Sequence, residues 1–541
     1  MDGLMMAFPL TLPHLFQRAA DYYPEVEIVS RRPDKSLHRT NYGEFHGRAQ
    51  QLANALKRLG LKPGERVATL AWNHSRHLEA YFGIPLAEGV FHTLNPRLSP
   101  TDLSYIMNDA EDVILLVDDV LLPVWEKLKA DVKVRQVVVW AHGQALPEGT
   151  LDYEQLIAAE PKAYEIPAID ENQAAGLCYT SGTTGRPKGV LYSHRALVLH
   201  SLVSALPDAL GASFSDVVLP VVPMFHVNAW GLPFTCTMIG AKQVFPGPHL
   251  DAVSLLDLMA GEGVTKTAGV PTIWLSLLDA LDKAPAGTWD LSRLREIISG
   301  GAAAPPSMIE RFERDHGLHV VQAWGMTEMT PLGTVSRIKP SLAGLPAVEK
   351  LQLRATQGLP VPLVEVRVEA LDGPAPWDGK AMGELMVRGP FIASSYFKNP
   401  AEASKFTEDG WFRTGDIVTT SPQGYVRITD RSKDLIKSGG EWISSVDLEN
   451  ALIGHPAVAE AAVVAVAHPK WDERPVACVV LRPGATATPD ELRDYLAPKF
   501  AKFWLPDAYL FLEAIPRTAT GKFMKMALRK QLKDFRWSGN E

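Results

Sequence analysis

The chain has 541 residues, too many for one compact core, so its length predicts a large unit joined to a smaller one. Hydrophobic residues make up 46% of it and charged residues 21%, a composition that excludes a disordered chain. The formal net charge is -8 and no long run carries one sign. This argues against a nucleic-acid-binding protein, because such proteins need a concentrated basic face.

The cysteines and the apolar runs indicate in which cellular compartment to expect the protein and whether it spans a membrane. Cys178, Cys236 and Cys478 are far apart and form no C-x-x-C pair, so we expect no disulfides and a reducing cytoplasm. The first residues lack the basic and apolar regions of a signal peptide. The most apolar internal run, 457–467, is interrupted by Glu460 and is too short to span a bilayer. We therefore expect a cytoplasmic protein without a membrane span.

Short β-branched runs alternate with helical patterns through the first half of the chain. Residues 67–70, 113–117 and 137–140 have the composition of buried strands. Residues 77–85, between the first two of these strands, carry large apolar side chains at helical spacing. The alternation predicts α/β layers with parallel strands.

A loop rich in glycine and hydroxyl side chains follows at 179–189, directly after the apolar run 175–178. Glycines let backbone N–H groups approach phosphate oxygens, the hydroxyls add donors, and Lys188 supplies a positive charge. The G-x-x-x-x-G-K-[ST] spacing of a Walker A loop is absent. The length and order of the pattern favour a phosphate-binding loop over a flexible surface linker.

Three further segments carry candidate site residues, although each has an ordinary explanation when it is taken alone. His226 in 223–229 is surrounded by apolar residues, as many core histidines are. The glycine–alanine run 299–305 fits a tight turn, and Glu328 in 324–328 fits a solvated acid at the start of a helix. These segments become candidates only in combination with the other motifs.

The character of the chain changes near residue 430. A β-rich stretch runs from 383 to 428, and the polar segment 430–434 has the composition of a linker. We therefore predict an N-terminal domain of residues 1–431 and a C-terminal domain of residues 432–541.

Local signals predict the elements of the smaller domain. Residues 488–491 form a capping box with proline at the first helical position, which predicts the start of a helix. A strand is expected at 508–512 and a basic helix from about 522 to 532. Together these elements predict an α+β domain.

In combination, the segments 179–189, 223–229, 324–328, 411–416 and 516–522 resemble the motifs of the adenylate-forming superfamily. This superfamily contains acyl-CoA synthetases, peptide-synthetase adenylation domains and beetle luciferases. The resemblance covers nearly the whole chain and looks closest to bacterial fatty-acyl-CoA synthetases and methylmercaptopropionate-CoA ligases. It implies an α/β fold, with a large N-terminal domain of βα-layered subdomains plus a β-rich subdomain, and a small mobile α+β C-terminal domain.

The resemblance also implies a nucleotide site with ATP and Mg²⁺. Thr184 and Glu328 are the implied metal ligands, and Asp416 and Arg431 the implied ribose contacts. Trp324 stands where the family usually has tyrosine, so a stacking surface remains while a phenolic hydroxyl is lost. The residues implied to bind ATP or AMP are Thr180, Ser181, Gly182, Thr183, Thr184, Gly185, Lys188, Gly301, Ala302, Ala303, Trp324, Gly325, Met326, Thr327, Asp416 and Arg431.

The acyl group and coenzyme A have their own implied residues. His226 is implied to guide the carboxylate or to gate its entry, and Trp230 either shortens the acyl channel or acts as a movable gate. The full implied set is His226, Val227, Trp230, Gly231, Gly301, Met329, Gly439, Gly440, Glu441 and Trp442. Lys433 matches the position about which the small domain rotates. The implied catalytic residues are Lys522, Glu328, Thr184 and His226.

The resemblance implies an AMP-forming acyl-CoA ligase that uses ATP, Mg²⁺ and coenzyme A. No acidic residue stands beside His226 in the sequence, which disfavours an amino acid because an ammonium group needs a carboxylate partner. We expect an aliphatic acid, either a fatty acid or 3-methylmercaptopropionate.

Alternative functions are weaker on the residues present. A stand-alone adenylation enzyme that loads a carrier protein and a luciferase-like oxygenase are the nearest alternatives, and no carrier domain is visible in this sequence. A non-catalytic nucleotide-binding protein is expected to have lost Glu328, Asp416 or Lys522, and all three are present. A hydrolase of the G-x-S-x-G type lacks its motif. The apolar stretch 7–16 either mediates a homodimer or caps the core of its own domain.

Overall fold

The computed structural model describes residues 1, 3–143, 146–180, 186–370, 373–439, 441–517, 523–533 and 535–537, with Glu441 described by its backbone only. Its α-helices are α1 Leu12–Tyr22, α2 Tyr42–Arg58, α3 Ser75–Leu86, α4 Pro100–Ala110, α5 Leu122–Glu126, α6 Tyr153–Ala158, α7 His194–Ala205, α8 Leu232–Ile239, α9 Ala252–Glu262, α10 Pro271–Lys283, α11 Pro306–His316, α12 Ala347–Arg354, α13 Ser445–Ile453, α14 Pro489–Leu496 and α15 Lys525–Gln531. Short 3-10 turns cover Asp119–Leu121, Thr327–Met329, Pro340–Leu342, Pro400–Lys405 and Lys502–Trp504.

The strands are numbered in the same way. They are β1 Glu27–Arg31, β2 Leu37–Asn41, β3 Arg66–Leu70, β4 Val90–Leu94, β5 Asp112–Asp118, β6 Gln136–Trp140, β7 Leu151–Asp152, β8 Ala174–Tyr179, β9 Gly189–Ser193, β10 Val217–Pro220, β11 Lys242–Phe245, β12 Lys266–Gly269, β13 Glu296–Ser299, β14 Val320–Gly325, β15 Leu332–Val335, β16 Leu359–Pro360, β17 Glu365–Ala370, β18 Gly373–Pro374, β19 Gly383–Arg388, β20 Phe412–Thr420, β21 Val426–Arg431, β22 Ile436–Ser438, β23 Glu441–Ile443, β24 Val458–His468, β25 Asp472–Leu481 and β26 Ala508–Phe511.

Two large sheets dominate the N-terminal part of the chain. The first has the order β7-β6-β5-β3-β4-β8-β9, and its pairs are parallel except for β8 with β9. The second has the order β16-β15-β14-β13-β12-β10-β11-β1-β2, with parallel pairing from β14 through β1. The predicted strands at 67–70, 113–117 and 137–140 are β3, β5 and β6. The prediction of parallel α/β layers is therefore confirmed.

Two smaller sheets follow. The β-rich stretch forms an antiparallel sheet of order β18-β17-β19-β20-β21. After it, β23-β22-β25-β24 form a sheet to which β26 adds in parallel beside β25. The predicted capping box at Thr488 opens α14. The last helix begins at Lys525 rather than near 522, because Phe523 instead forms a bridge with Arg517.

The N-terminal segment is divided between core and surface. Leu12, Leu15 and Phe16 of α1 are buried in the main hydrophobic cluster, so this part of the stretch caps the core of its own domain. Before the helix, Met5 and Phe8 stay exposed. Within the residues that the structure describes, no helix is both long enough and apolar enough to cross a membrane.

The parallel sheet also determines where the candidate site lies. The loops that leave the carboxyl ends of β10 and β13 carry His226 and Gly300, and the end of β14 carries Trp324 and Gly325. Ligands of open parallel sheets bind outside these ends, where neighbouring loops diverge. The fold thus brings together motifs that are up to about a hundred residues apart in sequence.

Candidate active site

A cavity of about 650 Å³ lies where the N-terminal sheets meet the linker and the last helix. Many of the residues predicted for the site line it. They are Thr180, Lys188, His226, Val227, Trp230, Gly301, Trp324, Gly325, Met326, Thr327, Glu328, Arg431 and Lys433. A larger cleft of about 980 Å³ opens between α11, α12 and the helices α13 and α14, and it includes the predicted Ala303.

Other predicted residues lie elsewhere or outside the described part of the chain. Gly231, Ala302, Met329 and Asp416 belong to segments that border the cavity but are not among its described lining residues. Ser181, Gly182, Thr183, Thr184, Gly185, Gly440, the side chain of Glu441 and Lys522 lie outside the described residues.

The phosphate loop is closed at its base by two hydrogen bonds. The Thr180 N–H donates to the Lys188 carbonyl over 2.9 Å, and the Lys188 N–H donates to the Thr180 hydroxyl over 3.1 Å. The guanidinium of Arg186 lies 5.0 Å from the ring centre of Tyr105. Thr180, Arg186 and Lys188, which flank the segment 181–185, all lie at the cavity.

The residues predicted for the ribose form a charged cluster on β14, β20 and β21, in which Trp324 and Asp416 are buried. Trp324 Nε1 donates to Asp416 Oδ2 over 3.0 Å, and Arg431 Nε lies 2.7 Å from Asp416 Oδ1. The Asp416 charge, opposed by burial, raises the pKa of Arg431. Within the described residues, Asp416 Oδ1 contacts Arg431 in this ion pair but accepts no hydrogen bond of good geometry. The indole N–H thus donates to the carboxylate that the sequence assigns to ribose.

A second carboxylate, Glu328, lines the cavity. It is 6% exposed, and its Oε1 accepts a hydrogen bond from the Tyr396 hydroxyl over 2.5 Å. Burial and the Glu328 charge raise the pKa of Tyr396, so the phenol keeps its proton and remains a donor. Lys188 Nζ lies 5.2 Å from the Tyr396 ring centre and 2.7 Å from Glu402. Sequence reasoning missed Tyr396 and Glu402, because neither belongs to a glycine-rich or charged motif.

The Glu328 site fits a magnesium ion held mainly by substrate. Mg²⁺ is usually bound through one or two carboxylates together with phosphate oxygens and water. Glu328 lines the cavity, and the described residues contain no group of three or more His, Cys, Asp or Glu side chains placed to hold a metal. A protein carboxylate, Glu328, in the cavity lining agrees with this mode of binding.

The segment that carries several of the residues predicted for the acyl group is a left-handed turn that the sequence did not predict. Val227, Asn228, Ala229 and Trp230 have φ angles of 45°, 57°, 50° and 57°, and Gly231 follows at 73°. Left-handed backbone costs about 1–2 kcal/mol for each residue with a Cβ, although asparagine tolerates it better. The motif contains a usable signal, since Asn228 and Gly231 are the two residue types that adopt this conformation most readily.

The turn directs Trp230 toward the opposite wall of the cavity. A Cβ at Gly300 would lie 3.0 Å from Cη2 of Trp230, so the absence of a side chain at position 300 allows the indole to approach. Leu210, Ala323 and Leu332 add to the apolar lining of the cavity. Trp230 therefore lines the cavity against Gly300.

The last helix closes the cavity from the C-terminal side. Phe523, Lys525 and Arg529 line it, although the sequence singled out only Lys522 in this region. Lys525 Nζ lies 2.6 Å from Glu449 Oε1, and Arg529 Nη2 lies 2.6 Å from Asp434 Oδ1. Burial raises the pKa of Glu449 to about 7, against the effect of Lys525.

Further contacts join the two sides of the linker. The Ser445 N–H and hydroxyl both donate to Asp430 Oδ2, over 2.7 and 2.6 Å. Lys525 Nζ donates to the same Ser445 hydroxyl over 2.5 Å. Asp430 precedes Lys433, and Ser445 and Lys525 follow it. These hydrogen bonds therefore fix one orientation of the C-terminal part.

In this orientation the described residues of the predicted thioester loop lie away from the cavity. Gly439 is at a φ of 59°, and a Cβ there would lie 2.9 Å from Trp471. Neither Gly439 nor Trp442 is among the described lining residues.

Comparisons with known proteins agree with this geometry. Residues 16–397 match the family described as AMP-binding enzyme, and residues 447–522 match the AMP-binding enzyme C-terminal domain. The chain belongs to the AMP-binding enzyme family. It is an AMP-forming acyl-CoA ligase, with ATP and coenzyme A as its co-substrates, and the predicted acid–thiol ligase class is confirmed.

The most similar relatives and structures match over almost their full length. The chain is 53% identical to the long-chain-fatty-acid–CoA ligase of Thermus thermophilus over 98% of this chain and 97% of that protein. It is 47% identical to the 3-methylmercaptopropionyl-CoA ligase of Ruegeria lacuscaerulensis, with 99% of both covered. The anthranilate CoA ligase AuaEII in complex with anthranoyl-AMP superposes with a TM-score of 0.87 at 26% identity, covering 98% of this chain and 99% of that one. The predicted two-part α/β fold is therefore confirmed.

Proposed function

We propose that this AMP-forming acyl-CoA ligase activates an aliphatic acid, either a fatty acid or 3-methylmercaptopropionate. The observation that carries the proposal is the apolar part of the cavity lining, which includes Leu210, Val227, Trp230, Ala323 and Leu332 and which we assign to the acyl group. The carboxylates among the described lining residues are Glu328, Glu402 and Asp434, and each already contacts another side chain, Tyr396, Lys188 or Arg529 respectively. None of these three is left to pair with an ammonium group, so an amino acid is disfavoured. Relatives at 45–53% identity are named as fatty-acid and methylmercaptopropionyl ligases.

The first step joins the acid to AMP. A carboxylate oxygen of the acid forms a bond to the α-phosphorus of ATP, and the bond to the bridging oxygen breaks to release pyrophosphate. His226 orients the carboxylate, the loop from Thr180 to Lys188 holds the phosphates, and Asp416 with Arg431 holds the ribose. The charge on the phosphates needs fixed donors and cations, and Lys522 is assigned to this role. Mg²⁺, held by Glu328 and Thr184, neutralises phosphate charge when it is bound.

The second step transfers the acyl group. The sulfur of coenzyme A forms a bond to the acyl carbon, AMP leaves with the carboxyl-derived oxygen, and the thiol proton passes to solvent. We assign Lys433 as the pivot between residues 1–431 and 432–541. Rotation about it withdraws Lys522 and brings Gly439 to Trp442 to the cavity.

The decisive experiment measures pyrophosphate release from the full chain with ATP and Mg²⁺ across a panel of acids. The panel runs from acetate through methylmercaptopropionate to palmitate, with benzoates and amino acids as controls. We expect a clear optimum among aliphatic acids and acyl-CoA formed in step with AMP. An optimum on a benzoate or an amino acid would refute the proposed substrate class, and pyrophosphate release without acyl-CoA would refute the second step.

We further propose a homodimer in the cytoplasm. Met1, Leu4, Met5 and Met6 are each more than 80% exposed, an apolar arm that a second copy would cover. All three cysteines are free and buried, as suits a reducing compartment. Light scattering should give the mass of two chains, and a chain lacking residues 1–9 should give the mass of one.

A further inference from the structure

The left-handed turn at 227–231 contacts a buried network of polar side chains. None of the roles proposed above explains that network. Asn228 is 2% exposed and is not among the described residues that line the cavity. Its Nδ2 donates to the Tyr81 hydroxyl over 3.3 Å, and Cys178 Sγ donates to its Oδ1 over 3.6 Å. Burial raises the pKa of Cys178 to about 11, so the thiol keeps the proton that it donates.

The partners of Asn228 are themselves rigidly placed. The Tyr81 ring stacks between Phe91 and Phe234, with ring centres 4.9 and 5.3 Å away. Its hydroxyl donates to the Met224 carbonyl, just before the turn. Tyr81 belongs to α3 and Cys178 to β8, so the turn is tied to the first sheet and its helices although it continues from the second.

The same side of the molecule also holds the backbone that leads into the turn. Thr93 Oγ1 donates to the Phe225 carbonyl over 3.3 Å, and the Met224 N–H donates to Asn73 Oδ1 over 2.6 Å. The N–H groups of His226 and Ala229 donate to the Pro223 carbonyl over 3.0 and 3.3 Å. These bonds fix the backbone that leads into the turn, and the amide of Asn228 adds side-chain hydrogen bonds from within it.

The ends of the turn carry the two side chains that face the acyl group. His226 precedes Asn228 by two residues, Trp230 follows it by two, and both line the cavity. If the four left-handed residues relaxed to negative φ, the direction of both side chains would change together. Strained backbone of this kind persists only where its surroundings hold it.

We propose that Asn228 is a positioning residue whose buried amide holds the left-handed turn and so sets the placement of His226 and Trp230 against the acid. The inference rests on the proposed function, in which these two side chains orient the carboxylate and bound the acyl chain. It predicts that Asn228 governs acid recognition without touching the acid, the nucleotide or coenzyme A.

Two substitutions separate the effect of losing the Asn228 amide from the effect of disfavouring positive φ at position 228. Asn228→Ala removes the amide and disfavours positive φ, whereas Asn228→Gly removes the amide and leaves positive φ accessible. Gln243→Ala is the matched control, because Gln243 is also a buried amide that donates to a buried tyrosine, Tyr42, over 2.9 Å. It lies in β11, away from the cavity lining.

We expect kcat/KM for the preferred acid to fall roughly 10-fold to 100-fold in both Asn228 variants, as for a small misplacement of orienting groups. The KM for the acid should rise and the preference among acids should flatten, while the KM for ATP stays unchanged. Gln243→Ala should lower the denaturation midpoint without changing acid preference. A folded Asn228→Gly with wild-type acid KM and preference would overturn the proposal.

Crystal structures of the variants give a test that does not need activity. In Asn228→Ala, we expect negative φ at Ala229 and Trp230 and a displaced indole. A turn that stays left-handed with His226 and Trp230 in place would overturn the proposal. If the wild-type chain activates no acid, the proposed function fails, and these structures still decide whether Asn228 holds the turn.

Discussion

Trp324 departs from the motif of the family but still supplies a hydrogen-bond donor at this position. The family pattern places a tyrosine at this position, and its replacement predicts the loss of a hydroxyl. In the structure the indole Nε1 donates to Asp416 Oδ2 over 3.0 Å, so the residue supplies a donor of its own. The sequence predicts an aromatic surface here, whereas the partner of the ring nitrogen depends on β14 and β20 meeting in space.

Trp324→Phe keeps an aromatic ring and removes the donor. We expect the KM for ATP to rise roughly 10-fold, because a hydrogen bond to a charged group contributes about 1.5–3 kcal/mol. The KM for the acid should change much less. The measurement is initial-rate kinetics with each substrate varied in turn.

Trp140→Phe is the control for this substitution. Trp140 is fully buried, and its Nε1 has no hydrogen-bond partner among the described residues. The same change there removes no hydrogen bond, so the KM for ATP should be unaffected. An equal rise in both variants would contradict the assigned role of the indole N–H.

At the scale of elements, the strands and helices with regular patterns are predictable and the turn after His226 is not. The alternation around β3, α3 and β5 follows local composition, and α14 follows from its capping box. The turn at 227–231 depends on contacts from Tyr81 and Cys178, which are distant in sequence. Local preference at Val227 and Trp230 opposes it.

Gly231→Ala should destabilise the protein by about 1–3 kcal/mol. Gly231 is at a φ of 73°, and a Cβ there would lie 2.6 Å from Cε1 and Nδ1 of His200. His200 is buried and burial lowers its pKa to about 3, so a neutral ring packs at this point. The measurement is the midpoint of urea denaturation.

Gly287→Ala is a control that separates the steric collision of a new Cβ from the strain of a positive φ. Gly287 has a φ of 82°, and a Cβ there would meet no atom within 4 Å. We expect a smaller loss of stability than at Gly231 and no change in acid kinetics. Equal losses at both positions would show that the collision with His200 is unimportant.

Glu296 of β13 forms ion pairs with Lys266 of β12 and with Arg337, whose Nη1 lies 2.8 Å away. These pairs make the free energy of unfolding depend on pH. Burial opposes ionisation, but hydrogen bonds from Arg337 and Lys266 outweigh it and lower the pKa of Glu296 from 4.5 to about 2. A lowered folded pKa gives stability that is present above pH 4.5 and is lost as the pH falls toward 2.

Integrated over this shift, Glu296 contributes roughly 3 kcal/mol at neutral pH. Glu296→Gln should lower stability at pH 7 and flatten its decline between pH 4.5 and 2, measured by urea denaturation. Glu310→Gln removes an exposed, long pair with Arg314 and should change little. A wild-type decline retained in Glu296→Gln would contradict the assignment.

For the whole molecule, the two-part α/β organisation is predictable and the joining of its sheets is not. Composition and motif order indicate a large unit followed by a small one. The pairing of β1 with β11 joins residues more than 200 positions apart, and no local pattern specifies it. Many of the motif residues line one cavity, whereas Tyr396, Lys525 and Arg529 reach this cavity only through tertiary packing.

The two half-reactions should respond differently to Lys522→Ala. We expect adenylation to slow roughly 10²–10³-fold, as for loss of one preorganised charge, because Lys522 is assigned to the phosphate charge. Acyl transfer from a supplied acyl-adenylate to coenzyme A should be nearly unchanged, because that step uses the other orientation of the C-terminal part. Separate assays of pyrophosphate release and acyl-CoA formation measure this.

Lys533→Ala is the control, since it removes a lysine from the end of the same segment. Neither half-reaction should change in that variant. Equal losses of both half-reactions in Lys522→Ala would contradict the division of labour between the two orientations.

The indole that donates to Asp416 also gives this protein an optical signal. Trp324 is 8% exposed and lines the cavity beside a carboxylate and an arginine, so its fluorescence depends on charges that a bound nucleotide changes. Subtracting the emission of Trp324→Phe from that of the parent chain isolates this fluorophore from the other tryptophans. Nucleotide arrival and departure can then be followed in real time without a label.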